Sequence, residues 1–424
     1  MVNRYFLPPG CARVAAGAWG VALPARLCFL RPAMTAVADP LADFTPRDRR
    51  IGITVAIACV SLVGVGLSLS IPLLSFAMER RGASGAMIGL NTAMGGLATV
   101  AVAPFIPRLA AAIGVRPTLL LALAIGAAAI LGFAFIQPFW AWFPLRFAFG
   151  VSLAIMFVLS EFWINALAPA QSRGLVMGVY VTALSVGLGA GPLILAGVGM
   201  DSLAPYLTCA ALFVVAAGPL LFAGCSAPPL ERAEKGRGVL FFLALAPVAT
   251  LSAFIFGAVE TGAFAFLPLY GVSLGFGATT AALLVTAMEV GNVLLQIPLG
   301  LLSDRMDRRK LLLGIGVVGF LGALAIPLAG ASAALLYTVV ALWGGVVCGL
   351  YTVALAHLGA RFSGTDLATA NAAFVVTYSL GLIAGPPVLG VGFDLWPPYG
   401  APAAIAVLMG VFALVAAWRV RAPS

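Results

Sequence analysis

The stretch Ser185-Val-Gly-Leu-Gly-Ala-Gly-Pro192 returns 194 residues later as Ser379-Leu-Gly-Leu-Ile-Ala-Gly-Pro386. The same shift lays Met94 on Met288 and Pro104 on Pro298, so one offset relates two separate segments. Gly66 and Pro72 also fall on Gly262 and Pro268 once a gap of two residues is allowed. All of these segments lie in long apolar runs, and the chain therefore reads as two related halves built from helices.

Outward from this repeat, the composition fixes the solvent. Of 424 residues, 62% are hydrophobic and 9% are charged, whereas about a quarter of an ordinary soluble domain is charged. Such a chain has no polar surface to offer water, but a bilayer accepts apolar side chains provided that the backbone bonds to itself. From Ile51 onward, apolar runs of the length a bilayer demands follow almost without pause. Twelve are expected, over 51–78, 84–107, 117–136, 139–164, 174–199, 203–224, 241–270, 278–302, 311–330, 332–358, 366–392 and 400–419. The fold class is thus all-α integral membrane, with twelve transmembrane helices in two pseudo-symmetric six-helix bundles.

The net charge of +9 belongs mostly to short connections, where it reads as a topology signal and not as a nucleic-acid surface. With both termini cytoplasmic, that side receives Arg108, Arg116, Arg173, Arg232, Lys235, Arg237, Arg305, Arg308, Arg309, Lys310 and Arg361. The other side receives Arg80 and Arg81, the asymmetry that the positive-inside rule predicts. The longest connection, 225–240, carries a Pro pair and five charges and divides the runs six and six. The expected organisation is a non-spanning extension over 1–46, a six-helix bundle over 47–224, a cytoplasmic linker over 225–240 and a second bundle over 241–424. The extension places Arg4, Arg13, Arg26 and Arg31 ahead of its first acid, Asp39, and has no spanning run, so Met34 is expected to be the native initiator. The six cysteines are scattered without ligand spacing, so no disulfide framework, metal or cofactor is expected.

The connection after the eighth run reads Gly300-Leu-Leu-Ser-Asp304-Arg305-Met-Asp307-Arg308-Arg309-Lys310. It resembles the G-x-L-a-D-R-x-G-R-R signature of the major facilitator superfamily, twelve-helix secondary transporters with two six-helix halves. The resemblance covers residues 51–420 and implies a conformational latch built from Gly300, Asp304, Arg305, Arg308 and Arg309. Asp307 stands where the family has Gly, which puts the family's tight turn in question. The counterpart in the first half, from Ala103 to Pro117, keeps Gly114 and Arg108 but has Ala where the aspartate belongs, so the latch is one-sided. The segment Gly187-x-x-x-Gly191-Pro192 resembles the family's fifth-helix antiporter motif and recurs as Gly381, Gly385 and Pro386. Small residues at this spacing also serve plain helix packing. Ser160-Glu161-Phe162-Trp163-Ile164-Asn165 with Arg173-Gly174 resembles the YcaD-type bacterial branch.

Charges inside apolar runs carry the chemistry, because each costs several kcal/mol unless it is paired or faces water. Glu289 lies eleven residues into its run, about 17 Å along a helix and so near the midplane. Glu260, ten residues before Tyr270, has a similar depth. Both are candidate proton carriers, with a neutral packing carboxyl as the alternative. Arg146, followed by Gly150, resembles the family's fourth-helix arginine and must find an anion, either one of these glutamates or a group on the solute. Asn91, Asn292 and Gln296, with Phe264, Trp343 and Tyr378, are candidate cavity residues. Glu161 and His357, near helix ends, are read as structural.

No P-loop and no clustered catalytic constellation is present, so neither ATP-driven transport by this chain alone nor a membrane enzyme is expected. The leading expectation is a proton-coupled antiporter that exports a small organic solute by alternating access. The alternative is a proton symporter or uniporter importing a sugar, amino acid or carboxylate. The expected partners are the solute, protons and the lipid bilayer, with no nucleic acid. The chain is expected to act as a monomer in the bacterial cytoplasmic membrane.

Overall fold

The computed structural model describes residues 45–167, 173–200, 202–222, 247–362 and 364–421. The linker expected at 225–240 and all but the last two residues of the 1–46 extension lie outside them. The described residues form thirteen α-helices and no strand. Hydrocarbon leaves the backbone that choice, since an unpaired N–H or C=O has no water to turn to. In the first half these are α1 (Pro46–Glu79), α2 (Gly85–Val102), α3 (Ile106–Ile113), α4 (Val115–Phe135), α5 (Trp142–Leu167), α6 (Arg173–Val198) and α7 (Ala204–Phe222). The second half holds α8 (Pro247–Ser273), α9 (Ala278–Arg305), α10 (Arg308–Ala329), α11 (Ala333–Arg361), α12 (Gly364–Leu395) and α13 (Gly400–Arg421). Eleven of the described helices are long and apolar enough to cross a membrane, and α7 contributes a shorter apolar stretch, Ala204–Gly218. Setting aside the eight-residue α3, twelve helices match the twelve runs.

One run departs from expectation. The segment 84–107 is not a single helix, because α2 stops at Val102 and α3 starts at Ile106. Pro104 sits in the intervening turn, where its missing N–H and its ring break the helical ladder. The short α3 buries Ile106 and Ala110, and Gly114, at φ 95°, turns the chain into α4. Pro298, which matches Pro104 in the repeat, stays inside α9, so the halves diverge here.

Within each half the repeated glycines let two helix backbones approach closely. In the first half α6 lies on α1, and in the second α12 lies on α8. A Cβ on Gly187 would stand 2.5 Å from the Ser61 carbonyl oxygen, and one on Gly191 would strike Ser68 Oγ and reach within 2.5 Å of the Leu69 nitrogen. A Cβ on Gly381 would strike the Phe254 carbonyl oxygen, and one on Gly385 would strike that of Ala258. Ser68 Oγ donates to the Gly187 carbonyl at 3.2 Å across the α1–α6 contact. In a bilayer, where lipid competes equally for apolar surface, this proximity of backbones supplies the dispersion that holds helices together.

Between the halves, α2 packs on α12 and α6 on α9. At the end of the molecule that carries Ser84, Asp394 of α12 reaches the first turn of α2. Its Oδ1 accepts from the Gly85 N–H at 2.7 Å and its Oδ2 from the Ala86 N–H at 2.8 Å. Ser84 Oγ takes the Met87 N–H at 3.3 Å, so three of the four free donors of that helix start are satisfied. Further along, a Cβ on Gly89 would collide with the Pro386 carbonyl, and one on Gly96 would lie 3.1 Å from the Ile383 backbone nitrogen. At the same end Arg81 donates to the Gln137 carbonyl at 3.3 Å and lies over the Trp142 ring, 4.2 Å from its centroid.

Two outcomes follow. Gly191→Val, overpacking a backbone contact, lowers the thermal midpoint of the detergent-solubilised protein by several degrees, at a cost of about 1–3 kcal/mol. Gly178→Ala on the same helix, where a Cβ meets nothing within 4 Å, leaves that midpoint unchanged; equal effects from both would refute the packing account. Asp394→Ala removes a carboxylate worth about 1 kcal/mol at a helix start and lengthens the distance between spin labels at Leu203 and Leu395. An unaltered distance distribution would show that Asp394 does not hold that end closed.

Candidate functional site

The first half reaches the second near the middle of α9. Thr286 Oγ1 donates to the Gly189 carbonyl at 3.0 Å, and a Cβ on Gly189 would lie 3.8 Å from Glu289 Cβ. This places Glu289, 2% exposed, beside the seam between the halves. Asn292, one turn further on, donates from Nδ2 to Glu289 Oε2 at 3.1 Å. On α8, Glu260 retains partial exposure in the middle of its helix, and Tyr378 of α12 donates to its Oε2 at 2.7 Å.

Both carboxyls line one cavity of about 260 Å³ counted with its opening, with room for roughly one water molecule. Phe256, Met288, Trp343 and Cys348 complete much of its wall. Trp343 is fixed by its indole N–H, which donates to the Gly319 carbonyl at 3.0 Å. Behind Phe256 stands an aromatic cluster: Tyr378 stacks on it with centroids 6.0 Å apart, and Tyr351 tilts against it at 5.6 Å. Tyr351 also meets Phe374 edge to face at 5.1 Å. Among the described residues no three His, Cys, Asp or Glu side chains converge as a metal site.

The remaining candidates lie elsewhere. Arg146 is 3% exposed and donates to Ser70 Oγ at 3.2 Å. Among the described residues no carboxylate lies within ion-pair distance of it, so the pairing with Glu260 or Glu289 that its charge suggested is not formed here. Asn91 is buried but donates to the Trp142 carbonyl at 3.0 Å, which ties α2 to α5 and keeps it out of the cavity. Gln296, two turns beyond Glu289, is not part of the cavity wall, nor is the buried Phe264.

The latch residues cluster at the turn between α9 and α10. Arg308 bonds to Asp304 Oδ1 at 3.3 Å and, through Nε, to Ser303 Oγ at 3.2 Å. Asp304 is 71% exposed, so water competes for this pair, and its contribution is below about 1 kcal/mol. Asp307, in place of the family glycine, has φ −61° and caps α10 by accepting the Arg309 N–H at 2.8 Å. The turn therefore needs no left-handed residue, and the carboxylate gives the helix start a partner that Gly would lack. Gly300 has open space around it. Arg305 and Arg309 accompany this basic turn, while Pro192 and Pro386 sit buried inside α6 and α12.

Sequence reasoning overlooked Phe256, Tyr351 and Met288 because apolar and aromatic residues are too common here to single out. It also overlooked Asp394, whose signal was available: an acid closing one run and a Ser-Gly opening another.

Comparison with known proteins agrees with this architecture. The family model described as Major Facilitator Superfamily matches residues 56–283 and 249–424. An uncharacterised MFS-type transporter of Bacillus subtilis (strain 168), YfkF, is 25% identical over 339 residues, 78% of this chain and 86% of that protein. The uncharacterised MFS-type transporter YcaD of Escherichia fergusonii is 28% identical over 282 residues, 65% of this chain and 71% of its own length. Among solved structures, the nucleoside transporter NupG superposes with a TM-score of 0.72 at 15% identity, covering 89% of this chain and all of that one. A D-xylose-proton symporter superposes at 0.68 and 14% identity, over 86% and 96% of the two chains. The chain belongs to the major facilitator superfamily and is a multi-pass membrane transporter, not an enzyme.

Proposed function

We propose that the protein is a proton-coupled antiporter that exports a small organic solute by alternating access, with Glu289 and Glu260 carrying the exchanged charge. The observation that supports this most is the cavity in which these two carboxyls meet beside the Gly189 contact between the halves. Two carboxylates exposed to low dielectric resist the rearrangement that would carry them through an occluded state. Protons neutralise them and allow it; a solute occupying the same groups allows it too, and the two are thereby exchanged. The α8–α9 location suits this role, since rocking of one half against the other opens such a seam alternately to each side.

Export draws support from the Gly187, Gly191 and Pro192 motif. The asymmetry of Lys and Arg supports cytoplasmic termini, and the bacterial relatives support residence in a bacterial cytoplasmic membrane. The twelve helices suffice for one solute path, which supports action as a monomer. An anionic solute would call on Arg146, which bonds to Ser70 and is not among the residues lining the cavity.

In proteoliposomes holding an imposed proton gradient and a pH-sensitive dye, solute addition dissipates the gradient for the wild type. Glu289→Gln together with Glu260→Gln abolishes that response while the protein remains folded by its thermal midpoint. Full pH-driven exchange in the double variant would refute the coupling.

A further inference from the structure

We propose that the solute taken by the Glu260–Glu289 cavity is an organic monocation with an aromatic or apolar body, such as a protonated amine or a quaternary ammonium. This rests on reading that cavity as the transport site, and it adds the charge and character of what enters.

The cavity offers acceptors and faces, and few donors. Tyr378 occupies Oε2 of Glu260 and Asn292 occupies Oε2 of Glu289, while Oε1 of each carboxyl has no protein hydrogen-bond partner among the described residues. Asn292 lines the same cavity at 9% exposure, and its buried Oδ1 also has no partner. A buried acceptor without a donor is costly, and Asn292 Oδ1 is one; beside the open Oε1 atoms of the two carboxyls it asks for a ligand that brings N–H groups, positive charge or both. No Lys or Arg is among the lining residues. Arg146, the buried cation of the first half, donates to Ser70 and is not among them either. An anionic solute would thus meet two carboxyls and no compensating charge, and a sugar or nucleoside would find few donors for its oxygens.

The walls point the same way. Phe256 and Trp343 border the cavity, and Tyr351 and Tyr378 pack against Phe256. The negative faces of such rings attract a cation, most strongly where water is excluded, and they accommodate an apolar body without demanding its hydrogen bonds. Carboxylate and ring therefore divide the ligand between them, the head to Glu260 and Glu289 and the body to the aromatics. The cavity as it stands has room for only about one water, so the ligand enters as the halves separate.

The test holds the aromatic ring constant and varies the charge. Equilibrium binding of benzyltrimethylammonium, benzyl alcohol and benzoate is measured on the purified full chain, and each is then offered to proteoliposomes under a proton gradient. Binding of the cation at least about tenfold tighter than the alcohol, with benzoate weakest, is expected. Glu289→Gln and Glu260→Gln should each weaken the cation by a similar factor and leave the alcohol unaffected, which separates loss of charge recognition from loss of fold. Equal or tighter binding of the alcohol or benzoate, no binding of any of the three, or cation binding indifferent to both substitutions would overturn the proposal. Proton flux driven by the alcohol alone would overturn the cation and leave proton-coupled transport standing. Charge-selective binding that moves no protons would support the cation and remove the coupling.

Discussion

Hydrocarbon cannot donate or accept a hydrogen bond, and that constraint propagates through every level of this molecule. It confines the spanning backbone to helices, and having done so it removes the usual reason for helices to associate, because lipid is as apolar as they are. What remains is closeness of approach. The paired glycines of α6 and α12 supply it in the same place in each half, where α6 rests on α1 and α12 on α8. The contacts between the halves, α2 with α12 and α6 with α9, use the same closeness, Gly89 and Gly96 of α2 lying against the α12 backbone.

The same constraint makes each buried polar group informative. Asn91 and Trp343 settle on the Trp142 and Gly319 carbonyls and hold neighbouring helices together, while Arg146 donates to Ser70. Glu260 and Glu289 are satisfied on one oxygen each and share a cavity with the unpartnered Oδ1 of Asn292. Incomplete satisfaction of three neighbouring side chains that share one cavity is expensive in a membrane interior and favours a bound partner there.

The helices were legible because a spanning run must be long and apolar whatever it packs against. The exception at 84–107 arose where apolarity continued through Pro104 while the backbone could not. That Glu260 and Glu289 fall in the interior of their helices was legible for the same reason, since an apolar run locates a residue along its helix. Lateral position was not. Glu289 and Asn292 share a helix face by spacing, but whether Asn91, Gln296 or Arg146 turns toward them depends on the rotation of each helix about its own axis, which nearly uniform apolarity leaves unmarked. The aromatic cluster of Phe256, Tyr351 and Tyr378 comes from three helices, and nothing local to any of them announces the others. Asp307 shows a different limit: a family's glycine suggested a left-handed turn, yet the chain there uses ordinary dihedrals and a side-chain cap.

The hydrogen bonds from Gly85 and Ala86 to Asp394 join residues roughly 309 apart along the chain. During synthesis α2 therefore enters the bilayer long before the carboxylate that completes its first turn has been made. Until then water or a lipid headgroup must serve those amides, and the early helices wait in a provisional arrangement at that surface. Arrival of α12 exchanges the temporary partner for a permanent one, so the final insertion steps also finish the shape of the first half.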